Sequence, residues 1–500
     1  MSNRFAFTIL VLLTTALVTG LLASADNSAV ILLLIIGAIL FGYLCVRDPI
    51  YSLAFVIIAA PLYQYRFDLP LIPVHLTVHR LFLGVTVASL VFSLIRQRSG
   101  TSPDGNRKPD IILIFLLFWL VLELVATGRS NYTAGINRLF PRLVNMSTAF
   151  LVFIIVRDRR TLVIGVSALL ISAVIPMAVG LWQVESWLLT GEFPGIPFQE
   201  FLESNLRVFS QAYKGSQATS IGGLAVPRFA SVLVDTNYFG LFLSIICLVS
   251  VGVLDSTLIK TRLQRVGVQA LVVLSVILML LTLSRSSLIG LIVGWGIYFL
   301  FRQSFNLKNL FRLAVALGLV WLALSTLFTQ FDLTPQQLVS SRFDSSQLNR
   351  SSDARAALLE PALDAFATNP LFGIGASNIL SYGLADTSHT TPFTILAEYG
   401  LVGFISFYSF ILALLWRLQQ HWKRQHDAIA LSLFAVLISL QLASLFYDHF
   451  LTLETNWVVM GLSLALIRVR MTEEPAPDHS PDHAQTLTSS RMFGSFNSHT

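Results

Sequence analysis

Residues 266–301 read VGVQALVVLSVILMLLTLSRSSLIGLIVGWGIYFLF. Two apolar runs, 266–283 and 286–301, flank a turn so tight that Arg285 has no loop to occupy, and Ser284, Ser286 and Ser287 surround it. A bilayer core of about 30 Å is crossed by roughly 20 apolar residues in a helix. The stretch therefore reads as two membrane-crossing helices that turn at one face. Working outward by the same criterion gives candidate spans near 5–24, 28–46, 49–64, 80–95, 110–128, 141–156, 161–183, 229–254, 266–283, 286–301, 313–329, 392–416, 428–446 and 452–468. The expected fold class is an all-α polytopic integral membrane protein with about 12–14 transmembrane helices.

Composition supports this reading. Of the 500 residues 55% are hydrophobic and only 12% charged, against about 25% charged in a soluble domain. So few charges cannot cover a water-exposed surface, which excludes a soluble enzyme. The 37 Phe and 8 Trp exclude a disordered chain. Cys45 and Cys247 both fall inside apolar runs, so they imply neither a disulfide framework nor a thiolate metal site. The net charge of +6 follows from Lys and Arg gathering at the cytoplasmic face. No Lys/Arg run exceeds two residues, so no nucleic-acid partner is implied.

With the N-terminus inside, 20 of the 33 Lys and Arg fall in cytoplasmic segments, twelve on the outer side, and one, Arg491, in the tail. Both termini are therefore expected in the cytoplasm. The first span superficially resembles a signal peptide, but its apolar core is longer than the 7–15 residues of one and a second span follows at once, so it reads as a retained helix. The expected organisation is one transmembrane domain over 1–470, long outer loops at 184–228 and 330–391, and a disordered cytoplasmic tail at 471–500. The second loop carries a helical pattern from Asp353 to Phe366, broken by Asn369-Pro370 and a Gly373-Ile-Gly375 turn. No GxxxxGK[ST], GxGxxG, HExxH or CxxC motif is present, which argues against an ATPase, a zinc protease or a redox enzyme.

An ionised side chain at bilayer depth costs at least about 2.5–3.5 kcal/mol, so such residues mark function by default. Arg228, Arg285, Arg355 and His389 fall at the outer ends of spans or in the outer loops, distant in sequence but on one face. Each alone has a plainer reading, as a cation reaching lipid phosphates or a surface histidine; Arg285, in its tight turn, fits that reading least. Asp235 and Glu398 lie within spans and read equally as interhelical ion-pair partners. Asp235 is seven residues after Arg228, hence on the same helical face. Glu123 could pair with any of these cations, while His75, His79, Asp448 and His449 read as structural. Arginine presents a planar fork that matches phosphate oxygens, so the cluster suits a membrane-anchored pyrophosphate. Histidine, with an ordinary pKa of about 6.5, suits a general base.

The segment Arg228-Phe-Ala-Ser-Val-Leu-Val-Asp-Thr-Asn237-Tyr-Phe-Gly240, the Leu281–Gly290 turn, Asn369-Pro-Leu-Phe-Gly-Ile-Gly-Ala-Ser-Asn378 and His389-Thr-Thr-Pro-Phe-Thr-Ile-Leu-Ala-Glu398-Tyr-Gly400-Leu-Val-Gly403 together resemble motifs of the O-antigen ligase and O-antigen polymerase superfamily. Thr390 departs from the commonest form, which has Asn after the His. The resemblance spans 228–403. It implies a glycosyltransferase of the bacterial inner membrane that moves a glycan from undecaprenyl pyrophosphate to an acceptor hydroxyl, with no metal or other cofactor. By the same resemblance Arg228 and Arg285 would hold the pyrophosphate, His389 would activate the acceptor, Arg355 would assist at the rim, and Asn237 and Glu398 would bind substrate. The implied partners are the lipid-linked donor, a glycan or lipid acceptor, membrane lipids and other polysaccharide-assembly proteins. Ligase, polymerase and protein O-oligosaccharyltransferase share these motifs, so the acceptor stays open. A lipid-linked oligosaccharide flippase is the rival from another class; it predicts internal repeats and midplane charges, whereas here the polar residues gather on one face.

Overall fold

The computed structural model describes residues 48–63, 65–67, 76–97, 111–129, 132–191, 208–210, 218–221, 224–302, 345–376, 378, 390–448 and 450–473, with 42, 43, 45 and 318. The expected spans 5–24, 28–46 (but for three residues) and 313–329, much of both long loops, and residues 474–500 lie outside them. The helices are α1 (Pro49–Ala59), α2 (Val78–Gln97), α3 (Ile111–Gly128), α4 (Tyr132–Ile155), α5 (Arg159–Ile171), α6 (Val174–Thr190), α7 (Thr236–Asp255), α8 (Arg262–Thr282), α9 (Arg285–Arg302), α10 (Ser345–Thr368), α11 (Thr391–Gln425), α12 (Ala428–Ser444) and α13 (Glu454–Glu473). Among the described residues, four helical stretches, Arg159–Thr190, Thr236–Asp255, Arg262–Thr282 and Thr391–Gln425, are long and apolar enough to cross a membrane. Shorter apolar helices accompany them at Pro49–Leu62, Val78–Leu94, Ile112–Gly128, Leu139–Ile155 and Ala428–Ser444. The chain is an all-α polytopic membrane protein.

Helix ends are set by local chemistry. Asp48, Asp235 and Asp427 each accept backbone N–H groups at the starts of α1, α7 and α12, and capping boxes at Asp158 and Thr261 open α5 and α8. Such caps satisfy donors that a helix cannot satisfy itself. The expected span 161–183 is two helices that abut at Ser172-Ala173, with Pro176, which has no N–H to give to the preceding turn, in the first turn of α6. The expected span 229–254 begins its helix only at Thr236, after a 3-10 turn at Ser231–Leu233. That corrects the reading of Arg228 and Asp235 as neighbours on one helix face. The expected span 392–416 runs on to Gln425, and its helix is interrupted at Gly400.

At the centre, α7 packs against α8, α9 and α12, and α13 packs against α4. Phe239, Phe242, Ile246 and Val249 of α7 are all fully buried; a helix apolar on every side belongs in the middle of a bundle. In contrast α2, α3 and α8 turn Phe92, Phe118, Val121 and Val266 outward, as a lipid-facing surface requires. Short strands are an addition that the sequence does not announce. β1 (Tyr65–Phe67) pairs with β2 (Leu76–Thr77) and β3 (Val208–Ser210), and β4 (Ala218–Ile221) pairs with β5 (Leu224–Pro227), all antiparallel. The β1–β3 pairing ties the first long loop to the α1–α2 connection, and runs of two to four residues are too short to show a period.

Close approach of helices depends on small residues, as is usual inside membranes. A Cβ on Gly294 of α9 would lie 2.7 Å from Leu248 and 3.3 Å from the Ala435 carbonyl. Gly296, on the same helix, has nothing within 4 Å. Gly294→Leu should lower the apparent melting temperature in detergent, by the equivalent of about 1–3 kcal/mol of overpacking, whereas Gly296→Leu should leave it unchanged.

Candidate active site

The turn between α8 and α9 is two residues long. α8 ends at Thr282, Leu283 takes a left-handed conformation (φ 54°), and Arg285 starts α9. Thr282 helps fix the turn, its hydroxyl accepting from the Ser284 N–H at 3.2 Å. Against it lies the start of α7. The Arg228 guanidinium donates through Nε to the Thr282 carbonyl at 3.2 Å and towards Asn237 Oδ1 at 3.4 Å. Ser284 donates to the same Asn237 oxygen at 2.9 Å, and Ser287 to the Asn237 carbonyl at 3.3 Å. Asn237 is thus the knot that joins the Arg228 segment to the Arg285 turn. The helices meet so closely there that a Cβ on Gly240 would lie 2.6 Å from Ser287 Oγ. Arg228 and Arg285 are both half-buried, at the same end of the bundle.

A second set of bonds carries this end across to α11. Asp235 accepts from the Asn237 and Tyr238 N–H groups, and its other oxygen accepts from the Tyr447 hydroxyl at 2.7 Å. Burial and the facing Asp235 carboxylate push the Tyr447 phenol far above its ordinary range, so it stays a proton donor. The next residue, Asp448, accepts from the hydroxyls of Thr391 and Thr394, both at 3.0 Å. These threonines lie in the first turn of α11, two and five residues after His389. His389 itself lies outside the described residues. Asp448, which the sequence marks as structural, is the anchor of the first turn of α11.

Glu398 is elsewhere. It is fully buried, and Arg142 Nη2 donates to it at 2.9 Å. Arg142 also faces Glu123 at 3.5 Å and bonds the Tyr399 hydroxyl, which in turn donates to Glu123 at 2.7 Å. This placement supports the interhelical ion pair for Glu398 rather than direct contact with substrate. Glu123 finds the cation that the sequence leaves unnamed. Hydropathy alone starts the span there at residue 141, which makes Arg142 one more outer-side cation, whereas α4 begins at Tyr132 and carries Arg142 well inside the helix. An arginine within an apolar run is the available signal. Arg355 lies on α10, whose Leu358, Ala362 and Ala365 pack against Ala397 and Phe393 of α11. Among the described residues, no group of three or more His, Cys, Asp or Glu gathers as a metal site.

The fold is that of an integral membrane helix bundle, in which hydrogen bonds through Asn237 join the Arg228 segment to the Arg285 turn at one end. Residues 270–408 match the family described as O-antigen ligase. The teichuronic acid biosynthesis protein TuaE of Bacillus subtilis (strain 168) is 24% identical over 423 residues, which cover 81% of each chain. These matches bear out the resemblance to the O-antigen ligase and O-antigen polymerase superfamily.

Removing the one cation of the buried set leaves two carboxylates without it. Arg142→Met should lower stability by about 3–5 kcal/mol, seen as a fall in apparent melting temperature. The triple variant with Glu123→Gln and Glu398→Gln should recover most of that loss. An unchanged melting temperature in the single variant would mean that these charges are not buried together.

Proposed function

We propose that the protein is a glycosyltransferase of surface polysaccharide biosynthesis that takes a glycan from undecaprenyl pyrophosphate at the periplasmic face of the bacterial inner membrane. The observation that carries this reading is the Asn237 knot, which joins the Arg228 segment and the Arg285 turn at one end of the bundle. Two guanidinium groups there supply fixed positive charge without titrating. In the reaction the acceptor hydroxyl attacks the anomeric carbon, its proton passes to the His389 imidazole, and the bond to the pyrophosphate oxygen breaks. The negative charge that grows on the leaving diphosphate meets Arg228 and Arg285, and preorganised charge of this kind lowers a barrier most where charge develops. Asn237 holds Arg228 in place; by the family resemblance Arg355, on α10, would assist at the rim. None of these steps requires a metal ion. The donor supplies its own activation, as a reaction without ATP at that face requires.

The likeness to a protein named for teichuronic acid biosynthesis leans the acceptor towards a growing polysaccharide rather than lipid A–core. Inactivating the gene should then leave short lipid-linked repeats, whereas long unattached chains would indicate a ligase.

Proteoliposomes carrying the protein, given undecaprenyl-pyrophosphate-linked glycan and acceptor outside, should form a glycosidic product. Arg285→Ala and His389→Ala should abolish it with insertion intact, and Arg285→Lys should fail to rescue because the bidentate fork is lost. Full activity in either alanine variant removes that residue from the site, and translocation of the lipid-linked glycan without product overturns the enzyme reading.

A further inference from the structure

The interruption of α11 at Gly400 is filled by backbone from the second long loop. Ile374 and Gly375 donate their N–H groups to the carbonyls of Ala397 (2.9 Å) and Glu398 (3.1 Å). In return the Leu401 and Val402 N–H groups, freed by the break, donate to the carbonyls of Pro370 (2.8 Å) and Leu371 (3.1 Å). The segment is also held from a third side, with the Ala376 N–H on the Ala126 carbonyl at the end of α3 at 3.1 Å. Asn378 donates to the Arg129 and Ile374 carbonyls.

The glycines here have no substitute. Gly373 and Gly400 take φ of +67° and +64°, where side chains are rarely found. A Cβ on Gly373 would lie 2.5 Å from the Glu398 carbonyl oxygen, and one on Gly400 would lie 2.5 Å from the Leu371 oxygen. Both clashes are with backbone, which cannot swing aside. Just before the break, Arg142 fixes Glu398 and Glu123 fixes Tyr399.

We propose that Pro370–Ala376 and the Gly400 break form a rigid joint, with Gly373 and Gly400 as positioning residues. The joint sets the first turns of α11, with Thr391 and Thr394, against the helix ends that bear the arginines. It rests on the reading of that end as the transfer site, because His389 precedes Thr391 by two residues. A helix broken without such a joint would pivot, and a misplacement of about 1 Å at a reacting group can cost about a hundredfold in rate.

The test uses the full-length protein in proteoliposomes. Gly373→Ala and Gly400→Ala should each lower kcat by about a hundredfold while donor KM stays within about twofold, since the arginine pocket is untouched. Gly296→Ala, where an added Cβ meets nothing, should match the unsubstituted protein. Wild-type kcat in both variants, or a loss confined to KM, overturns the joint and leaves the transfer site standing; full activity in Arg285→Ala would instead remove the site reading.

Should the alanine variants fail to insert, a cross-link decides between the outcomes. Leu371→Cys/Leu401→Cys, made with Cys45→Ala and Cys247→Ala, places one thiol on each of the two segments that the Leu401 and Val402 N–H groups bond together, and disulfide formation on oxidation is checked first. A rigid joint keeps its activity when oxidised. Activity lost on oxidation and regained on reduction would show that the segment must separate in each cycle, and would overturn the proposal.

Discussion

A helix that breaks inside an apolar surrounding leaves backbone donors and acceptors that neither water nor lipid can satisfy. At Gly400 the partners come from the chain itself, through the Pro370–Ala376 segment. This constraint gathers much of the molecule around one point. The segment draws α10 onto α11, reaches the end of α3 through Ala376, and lies beside the Arg142 pairing that brings in α4. Two sequence motifs, Asn369–Asn378 and Glu398–Gly403, separated in the chain, are halves of one structure.

The same economy governs the end of the bundle. Asn237, Asp235, Tyr447 and Asp448 each bridge two chain segments by hydrogen bonds. Polar side chains at a membrane helix end have few other partners, and bonds between helices there fix register as well as adding stability. The arginines are thus mounted on ends that cannot drift apart. Arg228 meets Asn237 through an amide oxygen and Thr282 through a carbonyl, both neutral acceptors. Arg142 is the opposite case. It is enclosed between two carboxylates, and its charge serves the fold.

Much of this is legible in the sequence because hydropathy and helix length are local. The 266–301 hairpin, the tight Arg285 turn and the helical stretch before Asn369-Pro370 follow from residues that are neighbours in the chain. Pairing across the fold is not local. Nothing near Arg142 announces Glu123 and Glu398, more than 250 residues apart from each other, and nothing near Asp448 announces Thr391. The start of α7 escapes a hydropathy reading for a related reason. An apolar run from 229 looks continuous, but Asp235 caps the helix by accepting from the Asn237 and Tyr238 N–H groups, so the helix starts there and Arg228 is left outside. Glu398 reads from the sequence either as a substrate contact or as an interhelical ion-pair partner, and its pairing with Arg142 matches the second reading.

The proposed chemistry depends on a diphosphate held between Arg228 and Arg285. An experimental structure of the protein in nanodiscs with a bound lipid pyrophosphate tests this most directly. Phosphate oxygens are expected within hydrogen-bonding distance of both guanidinium groups, at the end of the bundle where α7 and α9 begin. A headgroup bound at the opposite end, beside Asp255 and Asp427, or one touching neither arginine, would contradict it.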